Sequence, residues 1–313
     1  MFLTINESYF TMNLYQTQNA NTLGLLKEKP FKLEREIQTL FEKNLPELMG
    51  LEMVNSEFVI KGKRIDTLGY DAQSKAFVII EYKRDKNVSV VDQGFTYLSL
   101  MLENKADFVL TYNETLKKAI HSTSVDWSQT RVVFVSPSFT ENQRQATNFK
   151  DIAIELWEVK RYENDLISIN PIKKTKSAES IKPLTQQNSV IKSVTDEIKV
   201  YTEEDHTKGY PEEIIELYEN FKNAILNLAD DIEIVPKKLY IAFKKNKNIS
   251  DVVITKKGIR IFINIKKGLL DDPKGIVRDV SEIGHWGNGD YEVFVTDTVN
   301  LEYIMSLVKQ AII

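Results

Sequence analysis

The chain has 313 residues and a formal net charge of −4, with 42% hydrophobic and 27% charged residues. That is an ordinary balance for a soluble globular protein, and the length suggests two domains at roughly 150 residues each. The absence of cysteine excludes disulfides, thiolate metal centres and thiol nucleophiles, and His121, His206 and His285 are too scattered for a His-based zinc site.

No apolar run approaches the roughly 18 residues a membrane helix needs. The first residues, Met1-Phe2-Leu3-Thr4-Ile5-Asn6-Glu7, lack the basic start and apolar core of a signal peptide. A cytoplasmic location is expected. With a negative net charge, any binding of nucleic acid must rest on local basic patches.

Residues 1–29 are polar and mixed and give no clear pattern. Pro30 suits the first turn of a helix, and Leu33, Ile37, Leu40 and Phe41 follow at helical spacing toward a stop at Gly50. Leu51–Ile60 reads as the first strand. Residues 77–80, Phe-Val-Ile-Ile, are apolar without a break, as in a strand buried on both faces. The polar turn Asp71-Ala72-Gln73-Ser74-Lys75 joins this strand to the preceding run 64–70. A hairpin centred between Gln73 and Ser74 pairs residues whose numbers sum to 147, which sets Asp66 opposite Glu81. Directly opposed side chains lie roughly 5 Å apart at Cβ, and like charges there are destabilising. Lys83, on the same strand face as Glu81, is one source of compensation. A divalent cation is another, since Mg²⁺ prefers carboxylate, water and phosphate oxygens.

A helix is expected from about Ser89 to Glu103, with Val91, Phe95, Leu98 and Leu102 on one face and Gln93 and Tyr97 together on another. Ala106–Tyr112 reads as a strand, residues 114–121 as a short helix, and Arg131–Val135 as a strand. A helix near residues 141–149 and strands at 152–159 and 166–169 complete an α/β pattern. Trp127 and Trp157 read as packing residues.

Asp66, then Glu81-x-Lys83 at the end of a buried strand, then Gln93-x-x-x-Tyr97 on the next helix, resembles the core of the PD-(D/E)xK nuclease superfamily in its RecB-type branch. The likeness spans about residues 30–160. It departs from the nominal motif in having Ile65 before the aspartate. The resemblance implies a restriction-endonuclease-like αβββαβ core with a mixed sheet. It further implies Asp66 and Glu81 as metal ligands, Lys83 as the catalytic lysine, and Gln93 lining the site. Glu36 would stand beside the metal where many members carry an acidic residue, although Glu34-Arg35-Glu36 also reads as a solvated helix face. The implied cofactor is Mg²⁺, with Mn²⁺ able to substitute. A hairpin with a salt bridge at its mouth accounts for Glu81 and Lys83 taken alone; the paired Asp66 and the Gln93/Tyr97 helix carry the larger match.

The expected domains are therefore 1–170, nuclease-like; 171–200, a polar, Lys-containing linker; and 201–313, a smaller α+β module. The module starts with a helix near Pro211 whose apolar stripe runs through Ile214, Leu217, Tyr218, Phe221 and Ile225. Strand-like runs follow at 238–243, 251–255, 259–265 and 291–295, with helices near 276–283 and 299–312. Lys244, Lys245, Lys256, Lys257, Lys266 and Lys267 stand at its turns. If those turns gather at one end they form a rim for phosphates; lysine is also a common solvated turn residue. The loop His285-Trp286-Gly287-Asn288-Gly289-Asp290 reads as a tight turn with an aromatic. The module resembles an uncharacterised C-terminal family found on predicted nucleases.

The function implied by the resemblance is a Mg²⁺-dependent nuclease acting on nucleic acid, with DNA favoured and Tyr97 and the turn lysines as contacts. A homodimer or a protein partner through the C-terminal module is compatible with this. The alternative is a non-catalytic nuclease fold that holds nucleic acid or protein within a defence or repair system.

Overall fold

The computed structural model describes residues 13–18, 21–84, 89–175, 177–185, 188–245, 247–284 and 287–312. A short antiparallel pair, β1 (Tyr15–Gln18) and β2 (Thr22–Leu25), comes first. The next segment holds α1 (Glu34–Lys43) and α2 (Leu45–Met49), separated by Asn44 and ended by Gly50, whose φ of 68° is the left-handed stop that glycine supplies. Then come β3 (Glu52–Ile60), β4 (Lys63–Asp71), β5 (Ala76–Tyr82), α3 (Val90–Glu103), α4 (Lys105–Leu116), β6 (Arg131–Ser136), α5 (Glu141–Thr147), β7 (Ile154–Arg161) and β8 (Ile167–Pro171).

These strands form a mixed six-stranded sheet in the order β3-β4-β5-β6-β7-β8. The pairs β5/β6 and β6/β7 are parallel and the others antiparallel. Every residue of β5 is buried. Its odd-numbered Phe77 and Ile79 pack with α3 and α4, and its even-numbered Val78, Ile80 and Tyr82 pack with α1 and α2. The period-2 alternation of a strand thus splits one apolar run between two helical layers. The β4/β5 register obeys the expected sum of 147, from Asp71↔Ala76 to Thr67↔Ile80.

Three segments differ from the sequence reading in this part, the first being the short helix expected at 114–121, where α4 ends at Leu116. Ala106–Tyr112 lies inside helix α4. Its β-formers Phe108, Val109 and Tyr112 fall at helical spacing, and the helix lays them on β3 and β4. Phe108 meets Phe58 and Phe77 edge-on, and Tyr112 meets Tyr70 at 4.6 Å between ring centroids. Burial in this aromatic cluster outweighs local strand propensity. The polar stretch 171–200 is not a free linker. It carries α6 (Lys182–Thr185) and α7 (Ser189–Glu197), and it buries Ile181, Val194 and Ile198 in the first unit's core, with α7 against α3. A few apolar residues at helical spacing were enough to bind an otherwise polar segment.

The second unit holds α8 (Glu203–Thr207), α9 (Glu212–Leu226), β9 (Glu233–Pro236), β10 (Ile241–Lys244), β11 (Asn248–Thr255), β12 (Gly258–Ile263), β13 (Arg278–Asp279), β14 (Tyr291–Val295) and α10 (Leu301–Lys309). Its six-stranded antiparallel sheet has the order β13-β14-β12-β11-β10-β9, with α9 and α10 on one apolar face. Residues 276–283 form turns and the short strand β13 where a helix was expected. Asp272 there accepts from Gly275 N–H and Val277 N–H, which holds the chain in a turn.

The two units meet at the amino end of β5, β6 and β7. Lys237 reaches Asp71 at 3.8 Å, Lys238 reaches Asp126 at 3.4 Å, and Tyr240 donates to the Gln73 carbonyl. Asp71 is mostly buried and also pairs with Arg131 at 3.2 Å, while Arg131 pairs with Glu155 at 3.1 Å. Burial alone would push the Asp71 carboxyl up, but Arg131 and then Lys237 hold it well below the usual carboxylate range. The Lys237 amine is itself pushed down by burial, so Arg131 is the stronger partner.

A group with a lowered folded pKa stabilises above its unfolded value and loses that contribution as pH falls. Asp71→Ala should therefore cost about 3 kcal/mol at neutral pH, by leaving Lys237 buried without its acid and Arg131 with Glu155 alone. The loss should shrink below about pH 4, where the wild-type group also protonates in the unfolded chain. Denaturant titrations at pH 7 and pH 3.5 check both statements. The packing of α7 also predicts that a fragment ending at Val200 resists denaturant better than one ending at Pro171.

Candidate active site

The β4/β5 ladder stops at Thr67↔Ile80, and the candidate residues stand one step beyond it. Here the Asp66 N–H donates to Glu81 Oε1 at 3.2 Å, and the Tyr82 N–H donates to Asp66 Oδ2 at 3.0 Å. The two carboxylates thus complete the backbone pairing with their side chains. Glu57, on β3 between the paired residues Ser56 and Phe58, takes a φ of 55° beside this point. A non-glycine residue at positive φ within a strand is stored strain, and such strain clusters at functional sites.

Glu81 is 1% exposed. Its Oε2 accepts from Lys83 Nζ at 3.2 Å and from Gln93 Nε2 at 3.1 Å. Helix α3 delivers Gln93. Ser89 caps the helix by accepting from the Asp92 N–H, and Gln93 and Tyr97 follow on one face a turn apart. Gln93 Nε2 also lies 3.3 Å from the Tyr97 hydroxyl, which donates to the Arg64 carbonyl at 3.0 Å. The other amide atom, Gln93 Oε1, is buried and has no hydrogen-bond partner among the described residues. Burial raises the Asp66 carboxyl above its ordinary range, against the pull of the Tyr82 N–H and Lys83. Burial and then the Asp66 charge push Glu81 up to about 7.

Lys83, Gln93 and Tyr97 also line a cavity of about 410 Å³, together with Lys63, Asp92 and Thr96. Asp66, Glu81, Lys83, Gln93 and Tyr97 are therefore brought together as the spacing suggested. Asp66 and Glu81 are the side chains able to hold a hard cation, since Mg²⁺ is usually bound through one or two carboxylates with waters completing its shell. The buried Gln93 Oε1 is free to accept from such a water. Among the described residues no group of three His, Cys, Asp or Glu side chains is gathered for a metal.

Glu36 is not part of this cluster. It pairs with Arg161 at 3.0 Å. Two residues earlier on α1, Glu34 accepts from the Arg84 N–H at 2.9 Å and is near enough to raise the Asp66 carboxyl. The helix face that reaches the site is Glu34, Gln38 and Glu42. Gln38 Nε2 lies within 3.1 Å of Glu57 Oε1 and of the Asp66 carbonyl, and Glu42 accepts from Thr67 Oγ1 and Ser56 Oγ.

The lysine turns do not form one rim. In an antiparallel meander successive turns alternate ends, so Lys256 and Lys257 lie at the end opposite Lys244, Lys245, Lys266 and Lys267. Lys245 pairs with Asp231, and Lys267 pairs with Asp279 and Glu282. His285 and Trp286 lie outside the described residues, while Gly287 and Gly289 press on β12. A Cβ would fall 2.3 Å from the Phe262 ring at Gly287 and 2.0 Å from the Ile263 carbonyl oxygen at Gly289. Asn288 between them donates to the buried Asp251 through its N–H at 2.7 Å and its amide at 3.0 Å. The loop is held by close packing and polar contacts.

A Haemophilus influenzae protein bearing only the name "Uncharacterized protein" is 55% identical over 296 residues, covering 95% of this chain and 98% of its own length. The chain belongs to the same family as that protein. Residues 203–312 match the family model of DUF5655, a domain of unknown function. Among solved structures, a repair endonuclease from Pyrococcus abyssi is 21% identical with a TM-score of 0.22, over 38% of this chain and 44% of that one. EndoMS in apo form is 20% identical with a TM-score of 0.25, over 39% and 44%. These matches span less than half of either structure, and overlaps so slight bear on neither the fold nor the chemistry of this family.

Gly94 fixes how closely α3 approaches the sheet. A Cβ there would lie 2.5 Å from Ile154 Cδ1 and 2.9 Å from its Cγ1. Ile154 is itself buried. Gly94→Ala should destabilise by about 1–3 kcal/mol through overpacking, and adding Ile154→Ala should recover part of that loss. Thermal melts of the two variants and the wild type test this coupling.

Proposed function

We propose that this chain is a Mg²⁺-dependent nuclease that hydrolyses phosphodiester bonds in nucleic acid, with DNA the favoured substrate. The observation that carries this reading is the buried Glu81, held by Lys83 and Gln93 and joined to Asp66 at the point where the β4/β5 ladder ends. A purely structural ion pair gives no reason to bury two like charges together and to press both carboxyls upward.

In this reading Asp66 and Glu81 hold the cation. When bound, Mg²⁺ (or Mn²⁺ in its place) would lower the pKa of water and polarise the phosphodiester. Lys83, at the rim of the cavity, orients the attacking water or offsets charge developing on the phosphate. Gln93 fixes the Glu81 carboxylate and offers its free Oε1 as an acceptor. Tyr97 anchors Gln93 through its own bond to the Arg64 carbonyl. Of the α1 acids it is Glu34, whose charge repels that of Asp66, and not Glu36, bound to Arg161, that stands nearer the metal position.

A non-catalytic nuclease fold that binds nucleic acid is the second reading. It is favoured by one observation, that no three metal-binding side chains are gathered among the described residues.

Lys83→Ala and Glu81→Ala should each lower Mg²⁺-dependent cleavage of labelled oligonucleotides by at least about 10²-fold, and EDTA should abolish it in the wild type. Single- and double-stranded DNA and RNA run side by side name the substrate. Full activity in Glu81→Ala would sink the site assignment. A wild type that binds but cuts none of the four would favour the second reading.

A further inference from the structure

The hairpin joining β3 and β4 rises beside the candidate site, at the end of the sheet where β5 terminates. Its loop is as short as a hairpin allows, with Ile60 paired to Lys63 across Lys61 and Gly62. Both loop residues have positive φ, 47° and 73°, the geometry of the tight turn that matches strand twist. Gly62 adopts this freely. Lys61 does so at a cost that a glycine, asparagine or aspartate there would reduce. The tip reads Lys61-Gly62-Lys63-Arg64. Lys61 and Lys63 are exposed and form no ion pair with any described residue. Lys63 forms part of the wall of the 410 Å³ cavity that also contains Lys83.

One acidic residue also lines that cavity. Helix α3 presents Asp92, which accepts from Ser89 Oγ at 2.5 Å. A polyanion with one phosphate against Lys83 must carry its next phosphate out past Asp92 or past Lys63. Asp92 repels it, and Lys63 attracts it. In a chain of net charge −4 such a local gradient is what steers a phosphate backbone.

We infer that the β3–β4 hairpin is the arm along which the nucleic-acid strand leaves the site, with Lys63 on the phosphate next to the cleaved one and Lys61 on the backbone beyond it. The inference rests on the nuclease reading for the position of the cleaved phosphate, but its binding role stands apart from cleavage. The recognised chemistry is the sugar–phosphate chain without base readout.

The test uses the full chain as wild type, Lys63→Ala, Lys63→Arg and, as a charge control on α10, Lys309→Ala. Binding of fluorescent DNA and RNA oligonucleotides is measured by anisotropy in EDTA over a series of salt concentrations, and cleavage in Mg²⁺ is measured on the same samples. Lys63→Ala should reduce the log–log salt slope of binding by about 1. It should raise KM several-fold with kcat nearly unchanged. Lys63→Arg should restore both, and Lys309→Ala should match the wild type. DNA and RNA arms that lose affinity equally would place the contact on phosphate alone. A salt slope and KM unaltered by Lys63→Ala overturn the inference. A wild type that binds without cutting, with a slope still lowered by Lys63→Ala, upholds the arm and overturns the nuclease reading. A wild type that neither binds nor cuts overturns both.

Discussion

The fold turns on one constraint: a strand buried on both faces has to end somewhere, and this one ends in a carboxylate. Up to Ile80, β5 satisfies its backbone through β4 and β6 and its side chains through two helical layers. At Glu81 the apolar solution fails. A carboxylate 1% exposed must be hydrogen-bonded or paired to be tolerated. The chain supplies the Asp66 N–H, Lys83 and Gln93 for that purpose. Each contact fixes a neighbouring element. The first ends the β4/β5 ladder, the second aims the lysine, and the third sets the rotation of α3. The close approach at Gly94, next in sequence to Gln93, is part of the same arrangement.

This dependence explains which features were legible in the sequence. The hairpin register followed from the Asp71–Lys75 turn and the apolar run 77–80, because a slip of one residue would carry every side chain of β5 to the wrong face. The placing of Gln93 and Tyr97 on a shared face followed from helical spacing alone. The misreadings came where tertiary packing decided the outcome. Phe108-Val109-Leu110-Thr111-Tyr112 has strand-like composition and became helix because aromatic partners on β3, β4 and β5 lay within reach of one helix face. The stretch 171–200 looked like a linker because its few apolar residues are diluted among polar ones, yet Ile181, Val194 and Ile198 are all buried.

Glu36 and the lysine turns illustrate a different limit. A helix is known from periodicity, but the orientation of its polar face toward a site depends on how it is rotated against the sheet. Rotation by two residues exchanges Glu34 for Glu36, and local sequence does not distinguish them. The turn lysines were grouped by composition, whereas an antiparallel meander places successive turns at opposite ends. Lys63 was passed over for the converse reason. It belongs to no motif, and only the position of its hairpin beside α3 gives it a role.

The two units also divide the molecule physically. The second unit docks at the amino end of β5, β6 and β7, through Lys237, Lys238 and Tyr240. The candidate site lies at the carboxyl end, six residues along β5 from Ala76 to Tyr82, which at roughly 3.3 Å per residue is about 20 Å away. A side chain of the second unit at this interface cannot span that distance. Whatever the DUF5655 unit binds, those docking residues do not close the candidate site. The interface is nonetheless a committed one, because Asp71 satisfies Arg131 from the first unit and Lys237 from the second with a single buried carboxylate. Separating the units would remove one of the two cations that hold Asp71 ionised.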